Sequence, residues 1–195
     1  MAKAAAIAAT SDAIRRYLKE APHDEFVGLD VDVYQAVDFT KPVPAAGRIS
    51  IFLYRITVNQ ARRNLPPRLN DEGTIRLRPA IPLDLYYAIS AWAQRADLQH
   101  RLLGWAIRTL EDAPVFPSSF LNQLQQEPVF RKTETVELLC DSWPLQDLGV
   151  LWELTKPNVP LSISYVARMV ALESTPPQTV APVVQTRDFD IEELV

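Results

Sequence analysis

A chain of 195 residues that is 48% hydrophobic and 23% charged has the length and composition of one globular domain with a core of its own. Its formal net charge of -4 supplies no overall basic field for nucleic acid or for an anionic membrane surface. A single cysteine excludes an internal disulfide, and 16 prolines against 5 glycines point to rigid connectors and blunted strand edges.

In chain order, residues 3–20 predict a helix on which Ile7, Ile14, Tyr17 and Leu18 share an apolar stripe, ended by Pro22. The alanine-dominated start is short and followed by Ser-Asp, so it does not read as a signal peptide. No apolar run approaches the roughly 20 residues of a bilayer span. Residues 26–34 alternate. Val27, Leu29, Val31 and Val33 take one face of a strand, and Gly28, Asp30, Asp32 and Tyr34 the other. After the connector 41–47, residues 48–58 read as a central strand covered on both sides near Phe52.

Residues 59–73 form a polar loop of unusual length, of the kind that carries function. Residues 83–93 predict a strand with both faces covered. Residues 97–112 predict the clearest helix, with Leu103, Ala106, Ile107 and Leu110 on one face and Asp97 as N-cap. A short helix capped by Ser118, a strand over 133–141, a helix opened by Pro144 and a strand over 161–172 follow. From Glu173 the composition changes to Pro-Pro and acidic-apolar residues, so residues 1–173 are read as one α+β domain and 174–195 as an extended C-terminal arm.

The residue patterns of known chemistries are missing. No two glycines lie close enough to build a phosphate-cradling loop. His23 and His100 lack ligand-spaced partners, and His100 reads as a partly exposed helix residue. Cys140 lacks a nucleophile signature and reads as a small buried hydrophobe. Asp30, Asp32 and Asp38 are the best carboxylate set for acid–base or metal work, but a solvated strand face explains them equally well. The four tryptophans are expected mostly in the core, an exposed one marking an interface.

Arg62, Arg63, Arg68, Arg76 and Arg78 form a local basic cluster. It fits a solvated loop or a protein contact, and fits nucleic acid poorly given the acidic total charge. Asp188, Phe189, Asp190, Ile191, Glu192, Glu193 and Leu194 in the arm are its natural complement, so the arm of one subunit is expected to reach the basic loop of a neighbour.

Four ordered stretches carry a family resemblance: 49–64 (ISIFLYRITVNQARRN), 78–93 (RPAIPLDLYYAISAWA), 98–117 (LQHRLLGWAIRTLEDAPVFP) and 151–172 (LWELTKPNVPLSISYVARMVAL). Leu53-Tyr54, Ala91-Trp92, His100 before Leu102-Leu103-Gly104, Leu151-Trp152, and Ser162 and Ser164 with Tyr165 fall in the family's order. The chain resembles the N-terminal-domain family of the Photorhabdus virulence-cassette and antifeeding-prophage cap, the tail-terminator protein of contractile injection systems. It departs from that pattern in having Pro66-Pro67-Arg68-Leu69 where the family has a more glycine-rich loop.

The resemblance implies a mixed or antiparallel sheet packed with helices, like a phage tail terminator. It implies a structural, non-enzymatic subunit without a cofactor, forming a six-fold ring that closes the inner tube and engages the last sheath layer. The partners so implied are further copies of the chain, the tube protein and the sheath protein, with no nucleic acid and no membrane. Assembly would be cytoplasmic, in a particle either released or kept inside the cell. A baseplate or connector subunit of the same particle is the alternative, and a small carboxylate-metal hydrolase a remote one.

Overall fold

A computed structural model describes residues 5–63, 66–69, 73–156 and 160–174, leaving aside the side chains of Arg68, Leu145, Leu151, Leu154 and Thr155. The elements are α1 (Ala6–Glu20), β1 (Asp30–Tyr34), β2 (Arg48–Val58), β3 (Arg68–Leu69), β4 (Arg76–Leu77), β5 (Ile81–Trp92), α2 (Ala96–Glu111), β6 (Val115–Pro117), α3 (Ser118–Leu121), β7 (Thr135–Asp141), α4 (Leu145–Thr155) and β8 (Leu161–Leu172). Short 3-10 turns occupy Ala36–Thr40 and Gln60–Arg62.

Six strands form one sheet in the order β1-β2-β5-β8-β7-β6, antiparallel except for the parallel β1–β2 pair. β3 and β4 form a separate two-stranded ribbon. The arrangement is the mixed-sheet α+β fold that the sequence implied. The two 12-residue strands, β5 and β8, lie side by side in the middle. β5 is buried on both faces along most of its length, as expected from its lack of polar alternation.

One face of the sheet is covered by α1 and α2. Ile14 and Leu18 from α1, and Leu102, Ala106 and Leu110 from α2, pack on Ile49, Ile51, Leu85, Ile89 and Ala91, all buried in one continuous core. Two tyrosines in this face satisfy their hydroxyls on the helices. Tyr87 Oη lies 3.0 Å from Ser11 Oγ of α1, and Tyr165 Oη donates to Glu111 Oε1 of α2 at 3.0 Å. Burial pushes both phenols well above their ordinary range. Gly47 sits at φ +88° under α2, where a Cβ would come within 2.6 Å of Leu102 Cδ1. The backbone angle therefore favours glycine there, and any Cβ would force Leu102 to shift.

The opposite face carries hydroxyls instead. Trp92 Nε1 donates to Ser50 Oγ at 2.7 Å, Ser90 and Ser162 share a 2.7 Å hydrogen bond, and Tyr54 Oη lies 3.0 Å from Ser164 Oγ while accepting from Trp143 Nε1 at 2.6 Å. Pairing these hydroxyls with one another avoids the desolvation cost of isolated buried polar groups. Tyr34, Phe39 and Trp92 close this face beside β1, with Phe52 packed against them, and α4 lies against the turn that holds Phe39.

Several local expectations need correction. β1 begins at Asp30 and not at 26, because hydrogen bonds from Phe26 to His23 and from Leu29 to Phe26, with Gly28 at φ +79°, make the preceding stretch a turn. Val27 is consequently 88% exposed. Arg95, and not Asp97, is the N-cap of α2; Asp97 lies in the first turn, where the hydrogen bond from Arg95 holds its carboxyl below the usual range.

Ser118 does not cap α3: its hydroxyl donates to the Lys132 carbonyl at 3.1 Å, and the helix is one turn long. Cys140 is exposed and not buried. It shares a face with the buried Val136 and Leu138 but lies near the Glu111 carboxylate where α2 ends, so the helix cover stops short of it. The sequence gives no sign of β6, since a strand of three residues that follows Pro114 and ends in Pro117 has no period to read.

Candidate assembly surface

Among the described residues the sheet has two open edges, β1 and β6, and both are short. Open edges are where further strands add. On β1, the Asp30 amide donates inward to the Gly47 carbonyl, so the Val31 and Val33 amides face outward. The Val33 amide is occupied by its neighbour's carboxylate, Asp32 Oδ1, at 2.9 Å. On β6, Leu138 donates to the Pro114 carbonyl, which turns the backbone of Val115 and Pro117 outward. Pro117 has no amide to offer. Each edge thus has one of its two outward donors removed, by a carboxylate in one case and by a proline ring in the other.

The end of the sheet where β2 finishes and β5 begins is different in kind. Leu69, Ile75 and Ile81 are all exposed there, at 54%, 46% and 51%. Leu69 pairs with Arg76 on the outward side of the ribbon, while Leu77 turns inward and is buried. Arg62, Arg63, Arg76 and Arg78 are all exposed at this end.

The four do not form one patch. Arg62 lines a depression with Pro82, Met169 and Ala171, and Arg78 lines another with Ile81 and Leu172. Pro82–Ala171 and Ile81–Leu172 are successive rungs of one ladder, so the two arginines sit on opposite faces of the same end. For Arg68 the structure describes the backbone position in β3. Asp188, Phe189, Asp190, Ile191, Glu192, Glu193 and Leu194 lie outside the described residues.

The β8 strand leads out of the fold at this end. Leu172 pairs with Ile81, and Glu173 is ion-paired with Arg131, its Oε1 2.9 Å from Arg131 Nε, with its side chain almost fully covered. The chain therefore passes Ser174 beside Arg78 and Ile81.

The three carboxylates singled out, Asp30 and Asp32 on β1 and Asp38 in the following 3-10 turn, each have a partner. Asp30 pairs with Arg48 at 2.8 Å, and Asp38 accepts from the Gln35 amide at 2.9 Å and faces Lys41 at 2.7 Å. The Gln35 amide first, and Lys41 second, hold the Asp38 carboxyl below its ordinary value. Among the described residues no group of three or more His, Cys, Asp and Glu side chains is placed to hold a metal ion. Also among them, no helix is long and apolar enough to cross a membrane.

An open groove between α3 and residues 128–133 has its main polar group already committed. Asn122 Oδ1 accepts from the Val129 and Phe130 amides and its Nδ2 donates to the Phe130 carbonyl, each at 2.8 Å. Of the tryptophans, Trp92 is buried, Trp105 and Trp143 are half-buried with satisfied N–H groups, and Trp152 on α4 is exposed near the exposed Val150. Sequence reasoning missed the apolar members of the ribbon end. Leu69 and Ile75 stand inside an arginine-rich stretch where apolar residues are otherwise sparse, and that contrast was the available signal.

This mixed-sheet α+β fold resembles that of tail-terminator structures. The chain belongs to the Pvc16 N-terminal domain family, whose profile matches residues 8–186. Among solved structures it is similar to the PVC sheath/tube terminator of an extracellular contractile injection system in its extended state, with 16% identity and a TM-score of 0.58, over 97% of this chain and 64% of that one. It is also similar to the tube-terminating cap of the anti-feeding prophage, with 14% identity and a TM-score of 0.56, over 93% of this chain and 60% of that one. The chain thus spans less than two thirds of either protein, and at these identities the likeness is one of fold. No curated protein sequence matches it.

Proposed function

We propose that this chain is the cap that terminates the tube of a phage-tail-like contractile injection particle, acting by binding and not by catalysis. The observation that carries the reading is the fold shared with two tube-terminating proteins over nearly the whole chain, supported by membership of the Pvc16 N-terminal domain family.

Termination is a problem of surfaces. A cap must offer one face that resembles the next tube layer and another that accepts none. The blunted edges of β1 and β6 suit the second requirement, because neither presents an uninterrupted row of backbone donors. In this reading several copies close into a six-fold ring through heterologous contacts, one side of the ring meeting the tube protein and its rim meeting the terminal sheath layer. Assembly takes place in the cytoplasm.

The test is particle length by electron microscopy with and without this gene product. Overlong or ragged tubes in its absence are the expected result. Particles of normal length that lack baseplates would replace the reading with that of a connector, and wholly normal particles would overturn it.

A further inference from the structure

The ribbon end is the one place in the described structure where exposed arginines and exposed large apolar residues alternate along a short path. Leu69, Ile75, Arg76, Arg78 and Ile81 all face solvent. Among the described residues β3 and β4 pair only with each other, two residues to a strand. A two-stranded ribbon of that size is marginal in water and gains from a third segment laid along it.

The C-terminal segment has the matching chemistry. Asp188, Asp190, Glu192 and Glu193 are interleaved with Phe189, Ile191 and Leu194. Its carboxylates complement Arg76 and Arg78, and its apolar side chains complement Leu69 and Ile81. Charge-assisted pairing of carboxylates with guanidinium groups is the strong form of such contacts.

Reach favours the chain's own ribbon over a neighbour's. The described fold ends at Ser174, in the same depression as Arg78 and Ile81, with Glu173 fixed there by Arg131. Residues 175–187, thirteen in number, separate that point from Asp188. Thirteen residues span at most about 45 Å when fully extended. A tether of this length holds the segment at an effective concentration of order millimolar near the ribbon. A neighbouring subunit matches that only inside a completed assembly.

We infer that residues 188–194 dock on the arginine ribbon of their own chain, covering Leu69, Arg76, Arg78 and Ile81. This contact is separate from capping: particle length decides the one and the cross-linking below decides the other.

The test uses the purified 195-residue chain with Cys140→Ser, carrying Leu69→Cys and Ile191→Cys. A control carries Val27→Cys and Ile191→Cys, Val27 being exposed beside the start of β1 at the far end of the sheet. Isotope-labelled and unlabelled chains are mixed before oxidation, so that mass spectrometry separates links within a chain from links between chains. The expected result is an intrachain disulfide forming about tenfold faster than in the control at low salt, slowing as salt screens the charges. Adding Arg76→Glu and Arg78→Glu should remove the advantage, and Asp188→Lys with Asp190→Lys should restore it, with unchanged circular dichroism confirming that each variant folds. Equal rates in the two pairs, or disulfides that join labelled to unlabelled chains, would overturn the inference.

Discussion

The middle of the sheet and its ribbon end are built from the same residue types put to opposite use. In the middle, Ile49, Ile51, Leu85 and Ile89 lie under α1 and α2, and the polar groups among them are paired, Tyr87 with Ser11 and Tyr165 with Glu111. At the ribbon end, Leu69, Ile75 and Ile81 are exposed beside arginines among the described residues. Burial makes the first region the source of stability. Lack of cover makes the second the region free to bind, since exposed apolar residues rimmed by charge are the usual composition of a contact surface.

This contrast can be tested by substitution, from the largest effect to the smallest. Ile89→Ala, at a fully buried position under the helices, should lower the unfolding free energy by about 2–5 kcal/mol, read as a fall in the urea midpoint. Tyr165→Phe keeps the ring and removes the hydrogen bond to Glu111. It should cost about 1 kcal/mol by the same measurement. Asp38→Asn tests the polar rim of the β1 side. Because the folded protein holds Asp38 below its ordinary value of 3.8, the stability it contributes is present above that value and lost as the pH falls through the lower folded value. The variant should therefore differ from the parent in thermal midpoint at neutral pH and converge on it in acid. Arg76→Ser with Ile75→Ser should change stability by no more than about 0.5 kcal/mol while weakening binding at the ribbon end. A large loss of stability there would show that the ribbon belongs to the core, and the comparison of the two regions would fail.

Much of this fold was legible in the sequence. The long stretches rich in apolar, β-branched and aromatic residues became β2, β5 and β8, and the 3.6-residue stripe over Leu103, Ala106 and Leu110 became α2. Long periodic segments report themselves because every residue repeats the same burial choice. Segments too short to repeat did not: β6 has three residues, and β3 and β4 two each. The arginines were visible as a cluster in sequence, yet adjacent rungs of the β5–β8 ladder place Arg62 and Arg78 on opposite faces. Alternation along a strand separates what a linear reading groups together.

The amino-acid sequence by itself determined the class of the protein: an α+β domain without the residue sets of the common chemistries, resembling a family of tube caps. It could do so because hydrophobic period, turn residues and motif spacing are local properties. Tertiary structure alone decided which parts of that pattern are covered. Val27 alternates correctly and is exposed because the strand starts three residues later. Cys140 alternates correctly and is exposed because α2 ends beside it. Where an edge is blocked, where a helix stops and where the chain leaves the fold depend on contacts between residues distant in sequence, and those contacts set the surface with which this protein meets its partners.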